Sequence, residues 1–198
     1  MRKASLLSSN YMAKEATKKV AKKATKKVAV KKSTAKKAPA KKSTFVKHLT
    51  HLKAGDAAPN FSGKDQNGNL ISLNDFAGKT LVLYFYPKDD TSGCTAQSCS
   101  LRDEYKYLTQ KNYAVVGVSK DDEKSHQKFI KKFSLPFPLI ADVDHVMLKA
   151  FDVWGKKMFM GRIFDGILRT TFIIRDKKII RVISDVDTEG HAKQVMEG

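Results

Sequence analysis

Residues 80–99 read Thr80-Leu-Val-Leu-Tyr-Phe-Tyr86-Pro87-Lys-Asp-Asp-Thr91-Ser-Gly93-Cys94-Thr-Ala-Gln-Ser-Cys99. The first seven residues are dense in aliphatic and aromatic strand formers, which predicts a buried strand. Pro87 to Gly93 is a polar loop. From Cys94 onward Leu101, Tyr105 and Leu108 recur on one face, so a helix is expected over residues 94–110, with Thr91 or Ser92 near its start. A strand, a short loop and a helix opening on a cysteine place a thiol at a helix N-terminus. There the free N–H groups and the macrodipole favour an anion, and the thiolate is the reactive form of cysteine.

The remaining cysteine, Cys99, stands five residues on. Positions i and i+5 of an α-helix lie about 7.5 Å apart along the axis and point to different sides. A disulfide needs Cα atoms within about 4.4–6.8 Å. A permanent bridge is therefore disfavoured, and any bond between the two requires the first helical turns to unwind. Two cysteines so close together do little to staple a fold, so they read as chemistry in a reducing compartment. Zinc is a poor alternative. His48 and His51 could supply ligands, but Cys-x-x-x-x-Cys is wide for a zinc knuckle, and no metal site is expected.

An Asn67-Gly68 turn between alternating residues signals a hairpin over residues 60–73. Strands are expected at 113–119 and 137–141, helices at 121–133 and 146–151. A strand pair at 169–175 and 179–184 and a closing helix at 188–197 complete the body. Strands alternating with helices and ending in a hairpin predict an α/β sheet with helices on both faces. Trp154, Met158, Phe159 and Met160 are expected in the core or a pocket wall, and His126 and His145 as ordinary helix or cap residues.

The charge is divided unevenly. Residues 1–53 hold 17 of the 38 Lys/Arg and one of the 20 Asp/Glu, so they carry +16 of the formal +18. The block Ala16-Thr-Lys-Lys-Val-Ala21 recurs at Ala24 to Ala29, and Lys31-Lys-Ser-Thr34 recurs at Lys41 to Thr44. Such a stretch buries too little apolar area to offset its ordering entropy and reads as a disordered arm on a body spanning residues 54–198. Its composition resembles that of linker-histone tails. Lys18, Lys19, Lys22, Lys23, Lys26, Lys27, Lys31, Lys32, Lys36, Lys37, Lys41 and Lys42 suit phosphates as point charges, which gives non-specific DNA or RNA binding. A solubilising or targeting tail is the alternative. The longest apolar run, Leu81 to Tyr86, is far short of a membrane span, and no secretory signal is read at the start.

Pro87, Thr91 and Cys94 form the Pro-x-x-x-Thr-x-x-Cys pattern, which resembles the peroxiredoxin signature. Cys99 five residues later resembles the bacterioferritin comigratory protein / PrxQ branch. The resemblance runs on through Gly117-Val-Ser, Pro136-Phe-Pro-Leu, Asp142-Val-Asp-His145, Phe151-Asp-Val-Trp-Gly155, Phe159-Met-Gly161 and Arg169-Thr-Thr-Phe172. It implies a thioredoxin-like fold, a hydroperoxide substrate, a thioredoxin or similar dithiol reductant, and no cofactor. It implies Cys94 as the peroxidatic residue, Cys99 as the resolving one and Thr91 as the group that orients peroxide. Pro87 would shield the thiolate, Arg169 would bring a guanidinium to it, and the Gly93 N–H would face the substrate. Ser92 stands where the family pattern usually has Pro. A monomer is expected, since both cysteines lie in one chain, in the cytoplasm and near a nucleoid, with a nucleus or organelle as the alternative. The competing reading is a nucleic-acid-associated redox sensor or scaffold with little turnover.

Overall fold

The computed structural model describes residues 48–197. The lysine repeats and all twelve lysines named above lie outside the described residues. In chain order the elements are β1 (Ser62–Lys64), β2 (Leu70–Ser72), a 3-10 turn (Leu73–Phe76), β3 (Thr80–Phe85), α1 (Ser92–Asp103), α2 (Tyr105–Gln110), β4 (Tyr113–Ser119) and α3 (Glu123–Phe133). Then follow β5 (Leu139–Ala141), α4 (Val146–Ala150), β6 (Trp154–Phe159), β7 (Arg162–Ile167), β8 (Thr170–Arg175), β9 (Lys178–Ile183) and α5 (His191–Met196).

All of β3 is buried, because it is central in a five-stranded sheet of order β5-β4-β3-β8-β9. It runs parallel to β4 and antiparallel to β8, so the sheet is mixed. Successive side chains of a strand point to opposite faces. Leu81, Leu83 and Phe85 therefore enter one core with Phe61, Leu148, Phe151 and Phe172, under α4. Val82, Tyr84 and Tyr86 enter the other with Leu101, Leu108, Phe129 and Val195, under α1, α2, α3 and α5. Helices cover both faces, as expected. One glycine is needed for this packing: a Cβ on Gly117 would lie 2.7 Å from the Tyr84 hydroxyl and 2.6 Å from Leu139. Its absence lets the Tyr84 ring lie flat on β4 beneath α1.

Besides shifts of one to three residues at element ends, the structure departs from the expected elements as follows. The helix expected over 94–110 begins at Ser92 and breaks at Glu104, giving α1 and α2. The segment between α4 and β8, expected to be core or pocket wall, is a separate antiparallel ribbon of β6 and β7. Its tip exposes Met158 and Met160, at 54% and 87%, while Trp154 is half-buried against the His145 ring. Strand β9 begins one residue earlier than expected. The β8–β9 turn is therefore Asp176-Lys177, with φ of 50° and 60°, the left-handed pair that a two-residue hairpin favours.

Candidate active site

The carboxyl end of β3 is the focus of the site. Phe85 pairs with Thr170, so the preceding residue, Arg169, emerges beside the loop that follows β3. That loop leads into α1 through Thr91, whose extended backbone makes it the N-cap and whose carbonyl accepts the first helical bond from Thr95 N at 2.8 Å. Ser92, Gly93 and Cys94 then occupy the first turn, where backbone N–H groups have no intrahelical acceptor. Cys94 is 1% exposed, and Arg169 Nη2 donates to its sulfur over 3.2 Å. The sulfur thus meets a permanent cation and the positive end of a twelve-residue helix together.

The other expected residues gather at the same place. The nearest atom to a Cβ built on Gly93 is Arg169 Nη2, at 3.5 Å, so Gly93 leaves the guanidinium's approach open. Pro87 is half-buried where the chain leaves β3. The Thr91 hydroxyl does not cap the helix. It donates back to the Lys88 carbonyl at 3.0 Å, which leaves its oxygen lone pairs as acceptors. Cys99 is partly exposed, and both cysteines are free thiols. Arg102, one turn beyond Cys99, donates to the Phe133 carbonyl at 2.8 Å. Its pKa is raised first by its hydrogen bond to Asp103, then by the Cys99 sulfur. His48 and His51 lie elsewhere, at 2.8 Å each from the two oxygens of Asp152.

Two residues that sequence reasoning passed over belong here. Gln97, fully buried one turn after Cys94, accepts from Arg169 Nη1 through its side-chain oxygen. One guanidinium edge is thereby held by Gln97 while the other faces the sulfur. The readable signal was the i+3 spacing from Cys94, which puts both on one helix face. The second is His126, expected to be an ordinary helix residue but fully buried, with Nδ1 at 2.9 Å from Asp89. Beneath α1 the Tyr84 hydroxyl lies 3.1 Å from Ser98 Oγ, and burial pushes the Tyr84 pKa upward so that it stays a neutral phenol. His191, buried at the start of α5, meets Thr171 Oγ1 at 3.0 Å, and burial pushes its pKa down to about 4. Among the described residues no helix is long and apolar enough to cross a membrane.

Residues 54–183 match the AhpC/TSA family. Peroxiredoxin Bcp of Escherichia coli K12 is 44% identical over 149 residues, which cover 75% of this chain and 96% of that protein. A cysteine-to-serine mutant of Xylella fastidiosa PrxQ superposes with a TM-score of 0.69 at 35% identity, over 75% of this chain and 95% of that one. A Xanthomonas campestris bacterioferritin comigratory protein, described for its alkyl peroxide reduction activity, superposes at 0.66 with 32% identity, over 75% and 95%. A buried thiol on a helix N-terminus, beyond the carboxyl end of the central strand of a thioredoxin-like sheet, therefore has its relatives: the chain belongs to the AhpC/TSA family, as a thiol peroxidase of the Bcp/PrxQ peroxiredoxins that uses a hydroperoxide and a thiol reductant.

Proposed function

We propose that Cys94 reduces hydrogen peroxide and organic hydroperoxides by direct attack, and that Cys99 resolves the product. The observation that carries this reading is the 3.2 Å contact from Arg169 Nη2 to a buried sulfur at the start of α1. The guanidinium and the helix N-terminus both favour negative charge at that sulfur, and the thiolate is the nucleophile. It attacks the terminal peroxide oxygen, the O–O bond breaks, and the leaving oxygen takes the electron pair as alkoxide or hydroxide. Arg169 and the Gly93 and Cys94 N–H groups face that developing charge, in the manner of an oxyanion hole. The Thr91 hydroxyl proton is engaged by Lys88, so Thr91 accepts the peroxide O–H and aims the substrate. Pro87 shields the sulfur from solvent.

Cys94 is left as a sulfenic acid. Cys99 then attacks its sulfur, water leaves, and a Cys94–Cys99 disulfide forms. The first turns of α1 must unwind for this, because an intact helix holds the two side chains apart. An external dithiol, with a thioredoxin as the fitting class, reopens the bond through a mixed disulfide. Resolution within one chain needs no second copy, which supports a monomer. Cys94→Ser is expected to consume no peroxide and Cys99→Ser about one equivalent. Equal consumption by both variants and the wild type would overturn the mechanism.

The lysine-rich segment supports a second role beside this one. With +16 of the charge in residues 1–53 and no aromatic residue between Ala13 and Ser43, it suits non-specific phosphate contacts on DNA or RNA rather than base stacking. Such contacts would hold a cytoplasmic peroxidase at a nucleoid, or its nuclear or organellar counterpart at nucleic acid.

A further inference from the structure

The loop between β3 and α1 is held from behind by a buried polar cluster. Asp89, only 6% exposed, accepts from Tyr86 Oη at 2.7 Å, Ser125 Oγ at 2.7 Å and His126 Nδ1 at 2.9 Å. The other ring nitrogen of His126 donates to the Ile140 carbonyl at 3.2 Å, so the ring is gripped at both ends. The hydrogen bond to His126 offsets burial and keeps the Asp89 carboxyl below its ordinary pKa. A buried polar cluster is weak evidence for stability, since its desolvation cost rivals its attraction. Its attested use is to impose one geometry, and here that geometry is the loop's.

The path from the cluster to the substrate runs through one peptide plane. The Asp89 N–H donates to Asp121 Oδ2 at 2.7 Å, and the same oxygen accepts from Ser119 Oγ at 2.9 Å. The carbonyl of that peptide is Lys88's. A trans peptide is rigid and holds its N–H and C=O on opposite sides. Anchoring the N–H on Asp121 therefore turns the Lys88 carbonyl away from it, and that carbonyl accepts the Thr91 hydroxyl at 3.0 Å.

We propose that Asp121, with Asp89 and His126, positions the Thr91 hydroxyl through the Lys88–Asp89 peptide, and so determines how the substrate meets Cys94. These are positioning residues, acting through Thr91 rather than on the sulfur. The inference rests on Thr91 as the group that orients peroxide. Asp121→Ala frees the peptide, whereas Asp121→Asn keeps an oxygen to accept the Asp89 N–H. The cycle pairs Asp121→Ala with Thr91→Val in the full chain and reads the rate of Cys94 with hydrogen peroxide in single turnover.

Asp121→Ala is expected to slow the reaction about tenfold alone and to add nothing in the Thr91→Val background. Asp121→Asn is expected to stay within about threefold of wild type. An unchanged rate in folded Asp121→Ala, or the same factor in both backgrounds, overturns the proposal. Should Asp121→Ala fail to fold, His126→Gln takes its place with the same two readings. Failure of the underlying reading has a separate signature: Thr91→Val would then react at the wild-type rate.

Discussion

Arg169 and Cys94 are 75 residues apart in the chain and 3.2 Å apart in space, joined by a guanidinium N–H that donates to sulfur. The pairing of Phe85 with Thr170 makes this possible, because it delivers the residue before β8 to the loop after β3. The other guanidinium edge is occupied by Gln97, so a single planar group satisfies two partners at fixed angles.

Lysine cannot do both. Arg169→Lys keeps the charge but loses the fork, and we expect the second-order rate with hydrogen peroxide to fall by roughly 100-fold, within the ~10²–10³ that one donor at a developing oxyanion carries. Gln97→Leu should cost about tenfold, because the guanidinium keeps its charge and loses its orientation. Stopped-flow fluorescence measures both. A wild-type rate in Arg169→Lys would mean that charge alone is enough.

Ser92 is the first residue of α1, and Thr91 before it has φ −99° and ψ 150°, a conformation that accepts a following proline. Ser92→Pro should therefore stabilise the fold by about 0.4–1 kcal/mol by restricting the unfolded chain. The same stiffening opposes unwinding, so disulfide formation from the sulfenic acid should slow by about two- to fivefold. A more stable variant with an unchanged resolution rate would show that the start of α1 does not unwind in that step.

How far the sequence carried this reading depended on whether a feature is local. Strand β3, the loop and the start of α1 were legible because apolar density and helix-start chemistry are properties of consecutive residues. The positions of Cys94, Thr91 and Arg169 followed from motifs. The β6–β7 ribbon was not legible: Lys156, Lys157, Arg162 and Asp165 interrupt its apolar residues, and it lies outside the main sheet, so neither period stands out. The break at Glu104 leaves the apolar spacing almost unchanged. Beyond its spacing from Cys94, Gln97 carried no signal of a role and His126 read as an ordinary helix or cap residue, and only the fold shows that their partners are Arg169 and Asp89.

His191 gives a pH dependence whose sign can be worked out. Its pKa is about 4 in the fold against an ordinary 6.5, with burial as the main cause. Between those values the unfolded chain binds the extra proton, so stability falls as pH drops from about 6.5 to about 4 and levels off below. The loss is about 3 kcal/mol at about 1.4 kcal/mol per unit. The depressed Asp89 carboxyl acts in a lower window, contributing stability above the ordinary value of 3.8 that is lost as pH falls through its folded pKa. Urea unfolding at pH 7, 5.5 and 4.5 should show a shallower slope for His191→Gln. An identical slope would place the acid sensitivity elsewhere.

Removing residues 1–47 should leave the peroxide rate within about twofold while abolishing DNA binding and its steep salt dependence, whose slope is about −0.9 per phosphate contact. Fluorescence anisotropy with a random duplex at several salt concentrations measures this. An unchanged slope would move the binding surface to the body.

The central measurement mixes reduced full-length protein with one equivalent of hydrogen peroxide, then counts free thiols and maps the product by mass spectrometry. We expect both thiols to be lost per peroxide consumed, with the mass of one intramolecular Cys94–Cys99 disulfide and no dimer. Persistence of both thiols, or a disulfide between two chains, would contradict Cys94 as the nucleophile and Cys99 as its resolving partner in the same chain.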